Sequence, residues 1–184
     1  NQNNEKNFRD ISREYINKIK KVSKNSEKVT DKLPINFKWI GFIKLILPKA
    51  KIVHCIRNSK DTCLSIYKNY FTNTELNYAY DLNELVEFYN LYVDLMRFWK
   101  KNLSKFVIEI QYESLIKNPK KEITNLIKNC DLTWDENCMK FYNNKRVIKT
   151  ASDSQARSKL YESSINSWKN YEKYMKKTLE KLEN

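Results

Sequence analysis

Arg57 follows an apolar, largely β-branched run, "KIVHCI", and Ser65 stands eight positions later in "RNSKDTCLSIYKNYF". A strand ending in arginine and a helix with serine on its second turn bring two kinds of donor to one place. The guanidinium stays charged and offers a fork of N–H groups. The hydroxyl adds a neutral donor, and the start of the helix adds backbone amides with a partial positive charge. Together these groups suit a phosphate dianion. The same arginine could instead cap the sheet edge by pairing with Asp61 or another carboxylate, and spacing leaves both readings open.

Other positions carry weaker signals. Lys32 lies in "TDKLP", an extended segment stopped by proline. A rigid turn can aim an ammonium into a cleft, yet one lysine among many also reads as solvated surface. Tyr112 follows a second apolar run in "IEIQYESL". It could stack on a purine, a contact worth roughly 1–3 kcal/mol, or close the edge of a core. His54, inside the first run, reads as a satisfied core histidine rather than a base. The polar stretch "TASDSQARSKLYESSINSWKNY" brings Arg157 close to Lys159. Such a loop can fold over an anion or stay solvated.

The elements that must position these residues are legible from periodicity. Phe8, Ile11, Tyr15, Ile19 and Val22 recur at helical spacing over residues 7–22. "NFKWIGFIKLIL" predicts a second helix capped by Asn36 and closed before Pro48. Residues 51–56 predict a strand, apolar on both faces except His54, as in a buried parallel sheet. Asn58 or Ser59 caps the next helix. Asp81 caps a long one to about residue 102, with Leu82, Leu85, Val86, Tyr89, Val93, Met96 and Trp99 on its apolar face. A second buried strand follows in "KFVIEIQ", then helices opening at Pro119, in "WDENCMKFYNN", and twice near the C-terminus. Strands alternating with helices predict an α/β fold with a parallel sheet. In such sheets ligands bind beyond the carboxyl ends of the strands, where Arg57 stands.

Composition narrows the functions. A length of 184 residues suits one domain with a real core, and 41% apolar residues exclude a disordered chain. The net charge of +13 suits an anionic partner: nucleic acid, a membrane surface or a small polyanion. A lysine-rich composition of genomic origin explains the same number. A single glycine, Gly41, excludes a glycine-rich phosphate loop within this chain. One histidine and four cysteines without a C-x-x-C pair argue against zinc. The cysteines, all in apolar contexts, read as buried thiols rather than a disulfide framework. The polar opening "NQNNEKNFRD" is no secretory leader, and "WIGFIKLIL" is too short to span a bilayer. A cytoplasmic location is the expectation. The first residue is Asn, which reads as a fragment or a processed piece.

Taken together, "TDKLPINF", "AKIVHCIRNSKDTCLSIYKNYF", "YAYDL", "QYESLIKNP", "LTWDENCMKFY" and "TASDSQAR…SSINSWKNYE" resemble the sulfotransferase family in order and spacing. The resemblance is nearest to bacterial sulfotransferases associated with tetratricopeptide repeats and to tyrosylprotein sulfotransferases, and covers residues 29–171. It implies a P-loop-like α/β fold, a parallel sheet flanked by helices. It implies the donor 3′-phosphoadenosine 5′-phosphosulfate (PAPS), a hydroxyl acceptor on a peptide, saccharide or small molecule, and no metal. By this likeness Arg57 and Ser65 grip the donor's 3′-phosphate and Tyr112 contacts the adenosine end. Lys32 stabilises charge at the transferring sulfuryl group, Ser152 has a similar role, and Arg157 lies in a loop closing over the donor.

The sequence departs from the family pattern at Asn58 and Ser59, where the family usually has an aspartate after the arginine and then proline. It departs again at Asn69 and at Ser167, where basic residues are usual, and these swaps would weaken donor affinity. The resemblance also leaves the family's first strand and phosphosulfate loop unmatched. Residues 1–184 therefore read as a partial sulfotransferase domain, the C-terminal two-thirds, holding the 3′-phosphate half of the donor site and expected to be inactive alone. A basic module that binds nucleic acid or another polyanion without catalysis is the competing reading; the sulfotransferase reading requires no nucleic acid.

Overall fold

The computed structural model describes residues 2–24, 26–72, 74–144, 158 and 160–183. The chain divides into two compact units. One comprises Asn1–Ile52 with Leu95–Val107, and the other Val53–Asp94 with Ile108–Asn184.

In the first unit, helix α1 spans Gln2–Val22, in accord with the apolar spacing of the sequence. Pro34 opens a 3₁₀ turn, Pro34–Trp39, which runs into α2, Ile40–Ile46. Proline suits a helix start, where its missing N–H would have no partner. Asn36 is not the cap: it lies inside the 3₁₀ turn, and Leu33 holds the cap position without a side-chain bond. Phe8 of α1 meets Phe42 of α2 edge to face, with ring centroids 6.2 Å apart. Gly41 has a specific reason to be glycine. A Cβ built there would come within 2.7 Å of the Trp99 ring. The indole is held in place, because its Nε1–H donates to the carbonyl of Phe37 at 2.9 Å.

The second unit contains most of the sheet. Strands β1, Ile52–Ile56, and β2, Val107–Gln111, pair in a two-stranded parallel sheet. Helices α3, Ser59–Tyr67, and α4, Leu82–Asn102, lie in the crossover that parallel strands require. After β2 come α5, Tyr112–Lys117, α6, Pro119–Asn129, and 3₁₀ turns at Glu136–Asn143 and Ser167–Tyr171. Helix α7, Glu172–Leu179, follows. This is the α/β class expected from the sequence. Asp81 caps α4, its Oδ1 accepting from the amides of Asn83 at 2.7 Å and Glu84 at 3.1 Å. Cys63 and Leu64 of α3, Leu85 and Val86 of α4, and Met175 and Leu179 of α7 form one buried cluster. Full burial of each large side chain stabilises by about 1.5–3 kcal/mol. Burial pushes the Cys63 thiol up to about 12, so it stays protonated and unreactive.

β1 departs from the expectation of two covered faces. Its residues alternate, with Ile52, His54 and Ile56 half-buried and Val53 and Cys55 exposed. A continuous apolar run does not report how many layers cover a strand. Cys55 is therefore not the buried thiol expected of it; all four cysteines are free. His54 Nε2 shares a hydrogen bond with the Tyr92 hydroxyl at 2.5 Å, and its Nδ1 lies 3.7 Å from Glu109 Oε1. Among the described residues, no helix is long and apolar enough to cross a membrane.

Candidate anion site at the end of the first strand

β1 ends at Ile56 and delivers Arg57 at its carboxyl end. The chain then turns on Asn58, whose side-chain oxygen accepts the amide of Asp61 at 3.1 Å and caps α3. The Asn58 amide donates to Glu113 Oε1 at 2.8 Å. That bond ties the end of β1 to the start of α5, just after β2. Two neighbouring parallel strands thus place Arg57 and Tyr112 side by side.

The Arg57 guanidinium lies over the Tyr112 ring, 5.2 Å from its centroid. Its Nη2 donates to the carbonyl of Ser164 at 2.7 Å. The Tyr112 hydroxyl and Ser164 Oγ are hydrogen-bonded at 2.8 Å. Three segments distant in sequence therefore fix one guanidinium. Its Nε, however, is buried without a hydrogen-bond partner among the described residues. A buried donor left unmade costs about 1–3 kcal/mol. An oxyanion is the natural partner for such a group.

Glu113 is the nearest competing anion. Burial pushes its carboxyl up, but bonds from the Asn58 amide, its own amide and the Gln111 side chain, with the Arg57 charge, hold it below the usual value. Its oxygens are therefore already engaged. Arg57 forms no ion pair with Asp61; the carboxylate on which its charge acts is Glu113, the other carboxylate that an edge-capping arginine could meet. The Asp61 carboxylate faces the 3₁₀ turn that begins at Ser167. It is fully buried and accepts from Asn166 N–H at 2.7 Å, Ser167 Oγ at 3.0 Å and Trp168 N–H at 3.0 Å.

Ser65 is half-buried on α3, one turn after Asp61 and so on the same face. Lys32 belongs to the other unit; it is exposed and makes no hydrogen bond or ion pair with a described residue. Ser152 and Arg157 lie outside the described residues. Among the described residues, no group of three His, Cys, Asp or Glu side chains is placed to hold a metal ion.

Residues 3–136 match the family described as "Sulfotransferase family". The chain belongs to the sulfotransferase family. The match spans Lys32, Arg57, Ser65 and Tyr112, and it begins earlier than the motifs quoted above. A protein of Aquifex aeolicus (strain VF5), described as "Uncharacterized protein", is 33% identical over 171 residues, 92% of this chain. The chain spans 22% of that relative's length.

Sequence reasoning missed Asp61, Glu113 and Ser164. Asp61 left one signal: a carboxylate within the apolar face of "KDTCLS" must find buried donors. Ser164 left none, because only its carbonyl and hydroxyl positions matter. The departures at Asn69 and Ser167 have local uses. Asn69 Nδ2 donates to the Ser65 carbonyl at 2.6 Å, and Ser167 bonds Asp61.

Proposed function

We propose that the second unit holds the nucleotide end of PAPS, and that the sulfotransferase domain to which it belongs passes the sulfuryl group to an acceptor hydroxyl. The observation that carries this is the Arg57 guanidinium at the carboxyl end of β1, fixed by Ser164 and Tyr112, with a buried Nε that has no hydrogen-bond partner among the described residues. A 3′-phosphate would supply the missing acceptor and a charge to match. Ser65 would add its hydroxyl from α3. Tyr112, stacked on one side by Arg57, would border the adenosine.

The remaining roles follow the chemistry. Sulfuryl transfer breaks the bond from sulfur to the 5′-phosphate oxygen and forms one to the acceptor oxygen. Charge grows on the leaving oxygen, and an ammonium such as Lys32 stabilises it most where water is excluded. Ser152 would donate to the same group, and Arg157 would add charge over the donor. The acceptor proton passes to a general base. No metal is needed for these steps.

Calorimetry with adenosine 3′,5′-bisphosphate tests the reading. The chain should bind it, and Arg57→Ala should weaken binding by about 100-fold, the loss of charged hydrogen bonds worth up to about 3 kcal/mol. Equal binding by both proteins would overturn it. Oligonucleotide binding with a steep salt dependence that ignores Arg57 would favour the polyanion module instead.

A further inference from the structure

The Asp61 carboxylate is the only buried charged side chain among the described residues, and it touches neither Arg57 nor any lysine. Its two oxygens are spent on one short stretch. Oδ2 accepts from Asn166 N–H, while Oδ1 accepts from Ser167 Oγ and Trp168 N–H. Asn166 sits at φ 59°, the left-handed region, which asparagine enters more readily than most residues. That conformation turns successive amides toward one point, and the carboxylate occupies the point. Two residues before Asn166 stands Ser164, whose carbonyl binds Arg57 and whose hydroxyl binds Tyr112. Lys60, next to Asp61, covers the Trp168 ring at 4.3 Å and closes the same contact from outside.

We propose that Asp61 is a positioning residue for the anion site: by gathering the amides of Asn166 and Trp168 and the hydroxyl of Ser167 it sets Ser164, and Ser164 sets the guanidinium of Arg57. The inference rests on the donor reading above. Arginine side chains are long, and ordering one costs rotamer entropy. A guanidinium held on its face by Tyr112 and at Nη2 by Ser164 has paid that entropy before the phosphate arrives. Removing the buried charge releases the turn, loosens the Ser164 carbonyl and lets Arg57 adopt rotamers that no longer present Nε.

A merely structural Asp61 would affect all ligands alike, so the test compares two nucleotides on the full chain. Adenosine 3′,5′-bisphosphate uses Arg57; adenosine 5′-monophosphate, lacking the 3′-phosphate, does not. Their dissociation constants are measured by calorimetry for wild type, Asp61→Asn, Arg57→Ala and the double variant. The expected result is that Asp61→Asn weakens the bisphosphate about 10-fold and the monophosphate less than 2-fold. In the Arg57→Ala background, Asp61→Asn should change neither. Ser167→Ala, which removes one of the three donors, should fold normally and weaken the bisphosphate about 3-fold, so a poorly folded Asp61→Asn does not end the test. If wild type prefers the bisphosphate but Asp61→Asn and Ser167→Ala keep that preference, the positioning role is wrong and the donor site stands. If wild type shows no preference, the donor reading fails and this inference fails with it.

Discussion

In the unit that carries Lys32, the distant ties are chiefly aromatic. Phe8 packs on Phe42, Trp39 on Phe42, and Trp99 on the bare backbone of Gly41. In the unit that carries Arg57, an apolar cluster is overlaid by directed hydrogen bonds between segments more than fifty residues apart: Arg57 to Ser164, Asp61 to residues 166–168, Asn58 to Glu113. Dispersion packing sets volume and tolerates rotation. Hydrogen bonds to charged groups set angles. The anion site proposed above needs angles, and the hydrogen bonds of the unit that carries Arg57 supply them.

The sharpest way to break that contrast is to remove one cation from each unit. Arg57→Ala should cost about 100-fold in affinity for adenosine 3′,5′-bisphosphate. Lys32→Ala should cost less, about 5-fold, because its ammonium would meet only the 5′-phosphate oxygen and is exposed to solvent before the nucleotide arrives. Equal losses, read by calorimetry, would erase the distinction.

Next in size is the effect on stability. Asp61→Ala strands two amides and a hydroxyl in a buried place, at a cost of about 3 kcal/mol. For a chain of this size, thermal unfolding followed by circular dichroism should fall by about 6–12 °C. Gly41→Ala probes the aromatic unit in the same assay. Alanine gains up to about 1 kcal/mol of helix propensity. The added methyl meets the Trp99 ring at 2.7 Å, and the ring cannot swing aside without releasing Phe37. Overpacking costs about 1–3 kcal/mol, so the net is a loss of about 1 kcal/mol. A stabilised Gly41→Ala protein would mean that the indole moves freely.

These two residues also show what a sequence can and cannot tell. The cap at Asp81, Pro119 at the start of α6, the first helix and the strand ending in Arg57 all depend on neighbours within a few positions. They were legible for that reason. The partner of Asp61 lies 105 residues away, and its place on an apolar helix face tells that it needs buried donors but not which segment brings them. Gly41 reads as a missing phosphate loop by count, but its physical reason is an indole 58 positions on. The exposed face of β1 was illegible because an apolar run looks the same under one covering layer as under two. Arg57 and Tyr112 stood out by their places after strands, and the structure sets one over the other; the residues that hold them did not stand out.

The smallest effect belongs to a directed tie between α1 and the extended segment after it, in the aromatic unit. The Tyr15 hydroxyl donates to Asp31 Oδ2 at 2.6 Å. Burial, the bond to Asp31 and the charge of that carboxylate push the phenol from its usual value near 10 up to about 12. The folded state therefore holds the phenolic proton more tightly than the unfolded chain does. Its contribution to stability is complete below about pH 10 and is lost as pH rises through about 12. Tyr15→Phe removes the hydroxyl and with it this pH dependence. Melting temperatures of wild type and Tyr15→Phe should differ by a constant few degrees at most up to pH 10, then converge toward pH 12. Lysines that titrate in the same range shift both proteins equally and cancel in the difference. A gap that stays constant to pH 12 would mean that the phenol and carboxylate do not meet in solution.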